Sequence, residues 1–223
     1  MTEDRAPRTA ALWRRWLPAA FDRVPTGWLA GILTALFLGV TAGFGGLSAA
    51  AAPPIATLDA GETHESAQFA VTVERAVLID SLPEAGIRVP AWQRVLAVVV
   101  TVENRWDRPL PSTGSGGLED VVRVAALGDV GPAAIARFDD TGENPTLQPR
   151  VPAQLVLTWA VGGGQVRDGD TLDVELRDLS LYRGTFVLQG ESWSDPVLAA
   201  RVAVPATDVG AGVDAAAGDG AGG

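Results

Sequence analysis

The feature that most limits what this chain can become is an uncharged stretch from Val24 to Leu58, most apolar between Trp28 and Leu47. No Asp, Glu, Arg or His interrupts it. About 20 apolar residues in helical form cross the hydrocarbon core of a bilayer, so the stretch reads as a transmembrane helix over residues 27–50. Residues 1–23 carry five Arg against three acidic residues, and no Arg follows the stretch until Arg75. The positive-inside rule then places the amino terminus in the cytoplasm and the bulk outside, on a single pass of the cell membrane. A signal peptide cleaved within Ser48–Ala52 is the competing reading. The long region before the apolar core, and the length of that core, favour an uncleaved anchor.

Small residues recur every fourth position along the span, at Gly27, Gly31, Ala35, Gly39 and Gly43. Such a ridge lets a second helix approach closely, where van der Waals contact replaces the hydrophobic drive. These five are the candidate helix-packing residues, towards another membrane protein or a second copy of the chain. Ahead of the span, residues 1–26 form a cytoplasmic arm. Trp13, Trp16, Leu17, Ala20 and Phe21 share one helical face, which predicts an interfacial helix interrupted at Pro18.

The rest of the chain changes period. Phe69, Val71 and Val73 alternate with smaller or polar residues, as do Leu155, Leu157, Trp159 and Val161, and Leu172, Val174 and Leu176. Leu96, Val98, Val100 and Val102 alternate too, but Val95 and Val99 make that segment apolar on both faces. A strand of that kind belongs in the middle of a sheet. Shorter candidates are Val121–Ala126, Ala134–Phe138 and Leu198–Val204. About seven short runs, separated by Pro, Gly and Asp clusters of which Gly190–Pro196 is the last, predict an all-β, antiparallel β-sandwich over residues 65–205. Residues 51–64 read as a linker. Residues 206–223, almost all Ala, Gly and Asp, read as a disordered tail.

Two segments carry a resemblance. Val98-Val99-Val100-Thr101-Val102-Glu103-Asn104-Arg105-Trp106-Asp107-Arg108-Pro109 is a strand running into an Asn and a polar turn. Leu147-Gln148-Pro149-Arg150-Val151-Pro152 is a proline-bounded entry to a later strand. Over about Gly61 to Val204 the chain resembles the telokin-like, immunoglobulin-type domains of bacterial lipoproteins and membrane-anchored envelope proteins. That resemblance implies an extracytoplasmic immunoglobulin-like sandwich and brings no catalytic residues with it. The chain lacks the lipoprotein Cys and has a long loop at Asp107–Gly117. The Asn104 side chain is expected to bond the backbone of its own turn.

Composition narrows the chemistry. The chain has no Cys, no Lys and one His among 223 residues, with a net charge of −10. Disulfides and thiolate chemistry are excluded. His64 alone rules out a two-His metal site and makes a Ser-His-Asp triad improbable. An acidic domain repels nucleic acid, so no nucleic-acid partner is expected. Ser112–Gly117 is Gly-rich but lacks the Lys and the helix of a phosphate loop. Glu119-Asp120 and Asp139-Asp140, with Glu143 and Asn144, lack calcium-loop spacing and read as solvated turns. Asp168-Gly169-Asp170 reads as a hairpin turn. No cofactor and no enzymatic activity are expected. Trp159 reads as core. Trp92, Trp106 and Trp193 sit at strand edges or in loops, and Trp106 and Trp193 are the candidate ligand or partner contacts. The expected role is a membrane-anchored interaction or scaffolding module of the bacterial envelope, of which an accessory to a transporter is one form. The alternative is a domain that binds an envelope glycan or peptide on its loops.

Overall fold

The computed structural model describes residues 26–43, 54–184 and 190–210. The chain divides into two units, Met1–Ala52 and Pro53–Gly223. In the first, α1 (Thr26–Gly43) is 18 residues long, or about 27 Å at 1.5 Å per residue. No described helix is long and apolar enough to cross a membrane. Residues 44–50 of the expected span, and the Trp13–Phe21 segment, lie outside the described residues. Within α1, Trp28, Leu33, Leu36, Phe37 and Val40 are all exposed. A Cβ placed on Gly27, Gly31, Gly39 or Gly43 would meet nothing within 4 Å.

The second unit is built from strands: β1 (Ala56–Asp59), β2 (Thr63–Glu65), β3 (Phe69–Ile79), β4 (Gln93–Asn104), β5 (Leu110–Pro111), β6 (Val122–Val124), β7 (Ala134–Arg137), β8 (Thr146–Leu147), β9 (Pro152–Gly162), β10 (Thr171–Gly184) and β11 (Gly190–Gly210). One helical turn, α2 (Leu118–Val121), leads into β6. Hydrogen bonding runs through the order β6-β10-β11-β3-β4-β9-β7, with β1 beside β11 and β2 beside β3. β11 joins the two layers. Up to Pro205 it pairs antiparallel with β10, and from Ala206 it runs parallel to β3. The sheet therefore folds over itself into a sandwich. Val174, Leu176 and Val202 of one layer share a single buried core with Val98, Val100, Leu157 and Trp159 of the other.

β4 is central, as its two apolar faces predicted. Leu96, Val98, Val100 and Val102 enter the core. Val95, Ala97 and Val99 are buried on the opposite face, as are Ala85 and Ile87 of the 80–92 connection, whose 3₁₀ turn packs against β7. In β3 the alternation of Phe69, Val71 and Val73 resumes one residue late, at Ala76 and Leu78. A register shift between Val73 and Arg75 absorbs the extra residue.

Several expectations need correction. Residues 51–64 are not simply a linker, since β1 and the first two residues of β2 lie within them. Their few residues show no readable alternation, and their backbone partners are in β11 and β3. The tail does not begin at 206, because β11 continues to Gly210 on the hydrogen bonds β3 supplies. Gly190–Pro196 is strand, not a break, and among the described residues eleven strands replace about seven. Asp168-Gly169-Asp170 is a turn, but no hairpin: β9 pairs with β4 and β7, and β10 with β11 and β6. The successive long strands β3 and β4 are hydrogen-bonded neighbours.

Candidate functional site

The site grows from the end of β4. Asn104 is fully buried. Its Nδ2 donates to the carbonyls of Arg108 at 2.7 Å and Leu147 at 2.9 Å, and its Oδ1 accepts from the Trp106 amide at 2.9 Å. Its own carbonyl accepts from the Arg150 amide at 2.8 Å. One side chain thus shapes the 104–108 turn and ties it to the proline-bounded entry of β9. The turn presents Trp106 and Arg108 at the end of the sandwich.

Facing that turn is the ribbon formed where β10 and β11 run on past β6. Cross-strand register sets Leu181 opposite Trp193 and Arg183 opposite Glu191. Trp106 and Trp193 meet edge to face, with ring centroids 5.9 Å apart and planes at 86°, a geometry worth about 0.5–1.5 kcal/mol beyond area burial. The Arg108 guanidinium lies over the Trp106 ring, 5.1 Å from its centroid. Glu191 holds two guanidiniums at once: Oε2 takes Arg108 Nη2 at 2.7 Å and Oε1 takes Arg183 Nε at 2.9 Å. Arg105 pairs with Glu65. Between turn and ribbon opens a pocket of about 620 Å³, walled by Trp106, Arg108, Leu181, Arg183, Glu191 and Trp193 among others.

Trp193 is 6% exposed, and its Nε1 is buried without a hydrogen-bond partner among the described residues. An unpaired buried donor costs about 1–3 kcal/mol. Gln68, also buried, donates Nε2 to the Gly116 carbonyl at 2.6 Å while its Oε1 stays unpaired. Gly116 has φ +77°, and a Cβ there would come within 2.9 Å of the Trp193 carbonyl oxygen. The Gly-rich loop therefore packs against Trp193, with the Asp120 carboxylate accepting from the Gly116 amide at 2.8 Å.

The structure brings the two candidate contact residues, Trp106 and Trp193, into one wall. It corrects the setting of Trp193, which is a buried strand residue rather than a loop or strand-edge anchor. Arg108, Arg183 and Glu191 carried no signal in the sequence. Their partnership depends on a ribbon whose β11 arm read as a break. The other candidates lie apart. Trp92 is 71% exposed in a separate connection. His64 meets Asp178 at 2.7 Å. Trp159 is core, its Nε1 donating to the Val130 carbonyl at 3.0 Å. Asp139 pairs with Arg137, whose hydrogen bond holds its carboxyl below the usual range. Among the described residues no cluster of three His, Asp or Glu is placed to hold a metal ion. At the edge where β11 turns onto β3, Arg94 binds Asp208 through Nη1 at 2.6 Å and Nη2 at 2.5 Å. That hydrogen bonding, with the Gly210 amide, pulls the Asp208 carboxyl down to about 2.

No family model matches the chain, and no curated protein matches it in sequence. Two solved structures are similar to it. One is an uncharacterized beta-sandwich protein from Clostridium difficile 630, at 8% identity and a TM-score of 0.41, over 70% of this chain and 97% of that one. The other is a "putative lipoprotein" from Bacillus subtilis subsp. subtilis str. 168, at 18% identity and a TM-score of 0.33, over 60% of this chain and 38% of that one. The second unit of this chain is a β-sandwich domain by its own strand order and shared core.

Proposed function

We propose that the chain is an interaction module of the bacterial cell envelope: an extracytoplasmic β-sandwich, tethered through the apolar segment that contains α1, engaging its ligand at the Trp106–Trp193 pocket. The pocket carries this reading. Two tryptophans from distant parts of the chain wall it together, and two arginines held on one carboxylate stand at its rim. A concave site with mixed apolar and polar lining is the usual form of a binding site.

The tether rests on different observations. α1 shows apolar side chains on all sides to solvent. A helix that is apolar all round needs lipid or a protein partner. The Arg-rich arm before it favours a cytoplasmic amino terminus. The Gly27–Gly43 ridge offers a packing face to another membrane protein or a second copy. We read the chain as a binding protein and not as an enzyme.

The test is a photo-crosslinking residue at position 106 of the full chain in native membranes, with the same residue at the remote, exposed position 92 as control. A discrete adduct at 106 and none at 92 is the expected result. Equal labelling at both positions, or none at either, removes the pocket as the site.

A further inference from the structure

We propose that the pocket takes an extended acidic peptide, laid along the edge of β10 beyond its pairing with β6, with an apolar side chain seated against Trp106 and Leu181. The proposal rests on the reading of this pocket as the binding site and names its ligand class.

The first observation is a strand edge. β6 pairs with Val174–Leu176 of β10 and goes no further, while β10 runs on to Gly184. Among the described residues, Asp178 and Ser180–Gly184 pair with β11 alone, Leu179 falls in a register shift, and the α2 turn lies beside β10 without strand pairing. A strand edge with unused N–H and C=O groups is a template for an added strand.

The second is direction. Leu179, Leu181 and Arg183 alternate along that edge and line the same pocket as Trp193. A strand added beside them sends every second side chain to the same face. Main-chain pairing would supply affinity and the pocket selectivity, as in other strand-addition complexes.

The third is charge. A net of −10 makes the chain acidic, yet the guanidiniums of Arg108 and Arg183 share one carboxylate here. Each guanidinium has five N–H donors, so donors remain on both. The Arg183 side chain is 70% exposed. Carboxylates on the peptide complement them. A glycan would need a free flat ring face for stacking. Trp193 is buried, and Arg108 already lies over Trp106.

The experiment measures fluorescence anisotropy of a labelled hexapeptide, Leu-Thr-Glu-Thr-Glu-Thr, whose Leu and Glu side chains share one face of an extended strand, with the full chain in detergent micelles. Saturable binding is expected. Arg183→Glu should weaken it at least tenfold, and so should methylation of alternate backbone nitrogens of the peptide. Replacing its Glu residues by Lys should abolish binding. Arg183 is exposed, so its reversal leaves the fold intact, which matched circular dichroism verifies. Absence of saturable binding, equal affinity for the N-methylated peptide, or tighter binding of an oligogalacturonate would each overturn the proposal. If the position-106 crosslink still forms while the peptide fails, the peptide inference falls and the binding-site reading stands. If both fail, both fall.

Discussion

Asn104 and Leu147 are joined by a hydrogen bond from Asn104 Nδ2 to the Leu147 carbonyl at 2.9 Å, in the buried seam between the end of β4 and the entry to β9. β5 and β8 close a short ladder in the same region, with Leu110 opposite Leu147. The segments Val98–Pro109 and Leu147–Pro152 therefore converge on one side chain. That side chain also positions Trp106 and Arg108 at the pocket, so fold and site share a single fastening.

Asn104→Ala should destabilise the full chain by about 3 kcal/mol, because two carbonyls and one amide lose their partner. Asn104→Asp should be worse, since a buried carboxylate would face the Arg108 and Leu147 carbonyls. Urea unfolding followed by tryptophan fluorescence measures both. An Asp variant as stable as the wild type would show that the Nδ2 bonds contribute nothing.

Gly116→Ala combines a left-handed backbone with a Cβ 2.9 Å from the Trp193 carbonyl. The expected cost is about 1–3 kcal/mol, with a changed Trp193 environment seen in near-ultraviolet circular dichroism. Gly114→Ala has φ +85° but no neighbour within 4 Å. It should cost less and leave the Trp193 signal unchanged.

Asp208 titrates at about 2 because Arg94 binds its charged form. A depressed carboxylate contributes stability above its unfolded value, near 3.8, and loses that contribution as pH falls through the folded one. Stability should therefore decline from about pH 4 towards pH 2. Asp208→Asn should flatten that part of the profile, lowering stability at pH 7 more than at pH 2. Equal losses at both pH values would show that the pair does not set the slope.

Gly31→Ile with Gly39→Ile should reduce self-association of the full chain in a membrane two-hybrid assay, because bulk on the small-residue ridge keeps helices apart. An unchanged signal would remove the ridge as a packing face. The double variant should leave thermal unfolding of the sandwich, read by near-ultraviolet circular dichroism, where it was.

The sequence by itself determined the class of the domain. Period-two alternation at Phe69–Val73 and Leu172–Leu176 states which face of each strand is buried, and that is local information; at Leu155–Val161 it marks the core face, although Val156 and Thr158 are buried on the other face as well. Val95 and Val99 announced a strand buried on both sides for the same reason. Asn104 was readable as a turn residue because its carboxamide acts within a few positions. Tertiary structure decided the rest. β1, β2 and the end of β11 are strands because remote backbone groups pair with them, and no local apolar pattern reports such pairing. The bulge at Val73–Arg75 hid the second half of β3. The pocket needed the most tertiary information. Trp106 and Trp193 were each visible as tryptophans, but their contact, and the sharing of Glu191 between Arg108 and Arg183, exist because the register of β10 on β11 carries the ribbon over the Asn104 turn. Hydrogen-bond register between distant segments is a property of the folded chain, and it decided which side chains meet.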